Sequence, residues 1–153
     1  MRKILLPPLL MIICIAGAFA IARYAPALLR EYTIPQNSLW DAVAFVLILI
    51  GIALPVWGSQ TFKRHQTNIL PYKDPDSMVT DGPFQFTRNP MYLGMLAVIT
   101  GFAVFFGTTT GFLFPALFFA VANWWYIPFE ESRMAAVFGE AFKDYKMTVR
   151  RWL

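Results

Sequence analysis

Cysteine and histidine occur once each, at Cys14 and His65, and charge is scarce: 14% of the 153 residues are charged and 58% are hydrophobic. One cysteine closes no intrachain disulfide and leaves the redox compartment undetermined. With a single histidine it supplies no metal site. No glycine-rich phosphate loop is present, and a lone histidine without a clear nucleophile assembles no Ser-His-Asp arrangement. The net charge of +4 is modest and the basic residues form no uninterrupted run, so the chain carries no nucleic-acid footprint. Soluble domains average about 25% charged residues. A chain this poor in charge is built for a bilayer.

What the sequence has instead is long apolar runs. Ile4 to Ala22 is uncharged and longer than the core of a signal peptide, so it reads as a retained membrane helix. Met91 to Phe129 contains no charge at all and is too long for one crossing at about 20 residues per helix. The cluster Gly107-Thr108-Thr109-Thr110-Gly111 divides it in two. The expectation is an all-α, polytopic membrane protein forming one domain. Its four spans lie at approximately 4–29, 39–57, 90–106 and 111–128, separated by a polar loop at 58–89. Asp41 stands at the mouth of the second span, beside an N-cap such as Ser38. Met134, Val137, Phe138, Ala141, Phe142 and Tyr145 recur with helical spacing and predict an amphipathic tail helix over 130–147. Lys and Arg gather at the N-terminus, in the long loop and in the tail. The positive-inside rule puts all three on the cytoplasmic side of the membrane.

Polar chemistry concentrates in two places. In the first, Asn89 is a candidate N-cap and Pro90 suits a first helical position, which leaves the N–H groups of Met91, Tyr92 and Leu93 pointing at any nearby anion. Arg88 beside them could bind a carboxylate or phosphate, or anchor to lipid headgroups. The second is Glu130-Glu131, directly after Trp124-Trp125-Tyr126-Ile127-Pro128-Phe129, where the aromatic residues read as an interfacial belt. Two adjacent carboxylates at the end of an apolar helix need compensation. Either Pro128 starts a new helix whose first turn welcomes them, or a cationic ligand lies between the helices. His65 is either a loop residue or a substrate contact.

The segments His65-Gln66-Thr67-Asn68, Met78 to Phe84 and Thr87-Arg88-Asn89-Pro90-Met91-Tyr92-Leu93-Gly94 resemble the isoprenylcysteine carboxyl methyltransferase family, which is related to the phospholipid methyltransferases. So do Glu130-Glu131 and the tail from Phe138 to Leu153, and the likeness extends from about His65 to the end. It implies an S-adenosylmethionine-dependent methyltransferase acting on a lipid or lipidated small molecule that enters from the bilayer. It implies that Glu130 binds the amino-acid end of the cofactor and that Asn89, Pro90, Met91 and Tyr92 line it. Ser77, Met78, Val79 and Phe84 would contact the nucleoside, with Asn68 upstream. His65, Arg88 and Glu131 are the candidates on the substrate side, Glu131 either supporting Glu130 or fixing the tail helix. The chain departs from the family at Asn89, where eukaryotic members have histidine. It departs again at Tyr126, where they have an arginine that grips the substrate's carboxylate. Two rival classes are a sterol-reductase-like enzyme using NADPH and a non-catalytic membrane subunit.

Overall fold

The computed structural model describes residues 6–24, 37–67 and 77–153. Among the described residues there are four helical stretches: α1 (Pro7–Tyr24), α2 (Ser38–Arg64), α3 (Pro90–Phe106), and a long final stretch. That stretch comprises α4 (Leu113–Val121), a π-helical turn (Ala122–Tyr126) and α5 (Ile127–Thr148). Single 3₁₀ turns at Gly82–Gln85 and Thr110–Phe112 precede α3 and α4. Pro7–Tyr24, Ser38–Arg64 and Thr110–Thr148 are long and apolar enough to cross a membrane, and Pro90–Phe106 is a shorter apolar helix. The protein is an all-α, polytopic membrane protein.

The shortest of the four stretches, α3, is the central one. α3 packs against α1, α2 and α4. Its buried residues include Tyr92, Gly94, Val98, Ile99, Gly101 and Ala103. Between apolar helices in lipid there is little hydrophobic force, so close backbone approach must supply the attraction. The α2–α3 seam does this with small residues. Ala44, Gly51 and Gly58 recur on α2 at the seven-residue period of a shallow helix crossing and are all buried. They face Gly101, Gly94 and Met91 in reverse order, so the two helices run antiparallel. A Cβ on Gly51 would sit 2.7 Å from the Gly94 carbonyl oxygen, and one on Gly94 would sit 2.7 Å from that of Gly51. α1 contributes Leu10 and Cys14 to a second core with Tyr92, Ile99, Phe118, Ala122, Tyr126 and Ile127. The opposite faces of α1 and α2, carrying Ile12, Ile13, Phe19, Phe45, Leu49 and Ile52, stay exposed, as a lipid-facing surface should.

Several expectations are corrected. The N-cap of α2 is Asn37, not Ser38, and its side chain accepts from the N–H groups of Leu39 and Trp40. α2 does not stop at Trp57. Ser59 and Thr61 donate to the carbonyls of Val56 and Trp57, at 2.8 and 3.0 Å, and so join the helix that their polarity suggested they would end. Pro128 does not terminate the last span. A proline ring collides with the carbonyl four residues back. The π turn lies immediately before Pro128, with the Ile127 N–H bonded to the Ala122 carbonyl five residues back. The helix therefore runs on into the tail. The tail is not one regular amphipathic helix either: Gly139 takes φ 53°, ψ −120° within it. That break puts the apolar series out of phase, so Phe142 and Tyr145 are buried while Val137 is exposed.

Replacing Gly94 by Leu should force the α2–α3 seam apart at a cost of about 1–3 kcal/mol, the usual range for overpacking. The measurement is the thermal midpoint in detergent. Gly94→Leu should lower it by several degrees and Ile50→Leu, on the lipid-facing side, should leave it unchanged. Equal midpoints would contradict the seam.

Candidate functional site

The start of α3 and the start of α5 meet at one end of the bundle. Tyr92 lies in the first turn of α3, and its hydroxyl donates to Glu130 Oε1 at 2.6 Å. Tyr126, delivered by the π turn, stacks on the Tyr92 ring with centroids 6.1 Å apart. The neighbouring Trp124 and Trp125 are 71% and 58% exposed, whereas Tyr126 is buried, so the expected aromatic belt is made by the two tryptophans and Tyr126 belongs to the core.

Glu131, next to Glu130, is bound on every side. Arg88 Nη2 donates to its Oε1 at 2.9 Å. Arg151 donates through Nε to Oε1 at 3.2 Å and through Nη2 to Oε2 at 2.7 Å. Lys146 Nζ stands 3.7 Å from Oε2. The carboxylate side chain is only 11% exposed. Such a group stays charged in a low-dielectric setting only with partners of this kind. Pro128 and Glu130 do fall in the first turn of α5, as the helix-start explanation has it, but the π turn runs into that helix without a break, so there is no free helix end to compensate the pair. Glu131 is compensated by arginines, and Glu130 receives the tyrosine hydroxyl.

Arg88 does not reach out to lipid phosphates. Besides Glu131, its guanidinium donates to the carbonyls of Lys146 and Val149, at 3.2 and 2.5 Å. Asn89 occupies the N-cap position of α3, but its side chain makes no capping bond. Instead Asn89 Nδ2 donates to the Arg151 carbonyl at 2.9 Å. The expectation of three open amides is also reduced, since the Leu93 N–H donates to the Asn89 carbonyl at 3.0 Å. Only those of Met91 and Tyr92 precede the first intrahelical bond.

These groups surround a cavity of about 390 Å³. Of the residues singled out from sequence, Ser77, Val79, Phe84, Arg88, Asn89, Pro90, Met91, Tyr92, Glu130 and Glu131 line it. Met95, Arg133, Met134 and Phe142 add to the wall, and Leu6, Pro7 and Pro8 of the α1 end close one side. Met78 and His65 are not in the lining. His65 Nε2 pairs with Asp81 Oδ1 at 2.8 Å, and its carbonyl lies 3.5 Å from Ser77 Oγ, which places it behind the cavity wall. Asn68 lies outside the described residues.

Sequence reasoning missed Asn123, Arg151 and Trp152. Trp152 Nε1 donates to Asn123 Oδ1 at 3.1 Å, and its ring packs on Phe119 at 5.0 Å. Tyr145, known only as one member of an apolar series, donates its hydroxyl to the Phe84 carbonyl at 2.7 Å and ties the tail to the cavity wall. The signal for Arg151 was available: a buried acidic pair demands cations, and Arg150-Arg151 is the basic pair nearest the end of the chain.

The site of this helical membrane protein thus sets an acidic side chain and a helix start around a half-open, mostly apolar cavity. The comparison with known families gives it a class. The sequence model of the phospholipid methyltransferase family matches residues 40–141, and the chain belongs to that family. An uncharacterised protein of Haemophilus influenzae is 33% identical over 63 residues, spanning 41% of this chain and the whole of that protein. No solved structure matches.

Removing the Glu131 carboxylate leaves two arginines facing each other without a counter-charge. Breaking a buried ion pair in this way costs about 3–5 kcal/mol. Glu131→Ala should therefore melt far below the parent protein in detergent, whereas Lys143→Ala, on the exposed Lys143–Glu140 pair, should melt with it. Similar midpoints for the two variants would show that the cluster is not the clamp described.

Proposed function

We propose that this protein is a membrane methyltransferase that takes S-adenosylmethionine from the cytoplasmic side and methylates a lipophilic carboxylate or amine arriving from the bilayer. The observation that carries this reading is the Glu130–Tyr92 contact inside the cavity, a carboxylate and an aromatic ring held together at a helix start. The residues present suit the cofactor. A cavity of about 390 Å³ falls within the usual ligand-site range of about 300–1,000 Å³. Glu130 offers an anion for an ammonium group, and Val79, Phe84 and Met91 offer apolar surface for a nucleoside. The Tyr92 ring offers an aromatic face to a cation. When bound, S-adenosylmethionine supplies an electrophilic methyl group on a sulfonium centre.

The protein's own contribution is then positioning and dryness. Glu130 and the first turn of α3 orient the amino-acid end, and Ser77, Val79 and Phe84 hold the other end. The apolar lining from Met95, Met134 and the α1 end keeps water away from the methyl and accepts the hydrocarbon part of the acceptor. Arg88 and Glu131 act from the wall: paired with each other, they fix the two helix starts rather than the substrate. A carboxylate acceptor needs no general base. For an amine, which must be neutral before attack, the His65–Asp81 pair stands behind the wall at Ser77 and would take the proton through a bridging water, not by direct contact. With Tyr126 stacked on Tyr92 in place of the family's substrate-gripping arginine, a prenylcysteine acceptor would have to be held by other groups. The basic residues of the long loop and the tail support a cytoplasmic position for the cavity end of the bundle and for both termini.

Titration of purified protein with S-adenosylhomocysteine in a calorimeter checks this reading. Binding should be measurable for the parent protein. It should fall at least tenfold in Glu130→Gln, a loss of about 1.4 kcal/mol or more, and should also weaken in Tyr92→Phe. In a parallel thermal-shift comparison, S-adenosylhomocysteine should raise the midpoint and NADPH should not. Stabilisation by NADPH alone would favour the reductase class, and no response to either would favour a non-catalytic subunit.

A further inference from the structure

Residues 149–152 leave α5 and cross back over the site. Val149 is extended at φ −118°, ψ 131°. The Arg88 N–H donates to the Arg150 carbonyl at 2.9 Å. Thr87 Oγ1 and Asn89 Nδ2 both donate to the Arg151 carbonyl, at 3.2 and 2.9 Å. The Arg151 side chain points the other way. It forms the two-pronged pair with Glu131, and its Nη1 reaches the carbonyl and side-chain oxygens of Asn123 at 3.5 and 3.4 Å. A single residue is thus bonded to the segment entering α3, to the π turn and to the first turns of α5.

We infer that Arg151 is a positioning residue that sets the separation of Glu130 and Tyr92 without touching a ligand. The inference rests on the methyl-donor reading for its functional meaning, and on the hydrogen bonds alone for its structural one. Arg151 is absent from the cavity lining, so its effect must pass through others. Its backbone carbonyl fixes Thr87 and Asn89, and Asn89 immediately precedes the turn that carries Tyr92. Its guanidinium fixes Glu131, and with it the adjoining Glu130. The bidentate geometry matters, because only a planar fork can serve both carboxylate oxygens and still reach Asn123. Lysine can keep the charge but not this set of bonds. Trp152, locked on Asn123 and Phe119, anchors the far end, so the strap has a fixed point on each side of the cleft.

The experiment compares the full-length parent protein with Arg151→Gln, Arg151→Lys and Lys143→Ala by two readouts. Hydrogen–deuterium exchange follows peptides covering 86–93 and 122–131, with α2 as internal reference. S-adenosylhomocysteine affinity is measured by calorimetry. Arg151→Gln should speed exchange in both peptides while α2 keeps its protection, and should weaken binding at least tenfold. Arg151→Lys should fall between the parent and Gln, and Lys143→Ala should match the parent. If Arg151→Gln does not fold, Arg151→Lys carries the same comparison. Unchanged exchange in either peptide of a folded Arg151 variant overturns the proposal, whatever the affinity. So does parent-like affinity in a variant whose exchange has risen. If the parent itself binds no S-adenosylhomocysteine but exchange rises as described, the latch stands and the methyl-donor reading falls.

Discussion

A carboxylate cannot be sunk at the end of an uncharged helix unless cations come to meet it, because the loss of hydration exceeds what any single neutral hydrogen bond returns. Glu131 stands in that position, and most of the architecture around the cavity follows from satisfying it. Arg88 has to arrive from the segment before α3 and Arg151 from beyond the tail helix, so segments more than fifty residues apart in sequence are drawn to one point. Once there, their remaining donors and carbonyls take up each other's backbone: Arg88 serves the carbonyls of Lys146 and Val149, and the Arg151 carbonyl serves Thr87 and Asn89. The cluster leaves Glu130 bonded to Tyr92 in the cavity wall. Of two adjacent and chemically identical side chains, both in the cavity wall, one is held by arginines and the other by a tyrosine hydroxyl.

The membrane half of the molecule follows a different physics and was more legible. Long uncharged runs announce helices in lipid because no other backbone arrangement is tolerated there without partners. The sequence therefore carried the all-α, polytopic fold plainly, and the quoted motifs carried the family. What it concealed were the places where one local signal was outvoted by its surroundings. Gly58 and the hydroxyl residues after it read as the end of α2, yet the glycine packs near Met91 and the hydroxyls bond to their own helix. Pro128 read as a stop, yet an enlarged turn just ahead of it lets the helix continue. Gly139 was overlooked inside an otherwise regular apolar series.

At the cavity, the residues on either side of the helix start were readable because N-cap and proline preferences are local. Their partners were not. Whether Asn89 caps its own helix or binds a carbonyl sixty residues away depends on tertiary structure. An isolated stretch such as Val149-Arg150-Arg151-Trp152 offers no periodicity from which its extended path can be deduced. Arg88 illustrates the same limit: a basic residue beside a membrane helix suggests a lipid contact, and only the fold shows that its two Nη nitrogens are occupied elsewhere.

The widened turn at Ala122–Tyr126 does more than make room for a proline. Each residue of an α-helix turns the chain by about 100°, so the turn works as an angular offset between the half of the helix that meets lipid and the half that carries the two glutamates. Deleting one residue from it would leave an ordinary α turn, remove that offset from both carboxylates and bring the Pro128 ring back against the carbonyl four residues earlier. The register of this helix is therefore set by chain length at that point as strictly as by chemistry, and relatives that share the arrangement should tolerate substitutions there far better than insertions or gaps.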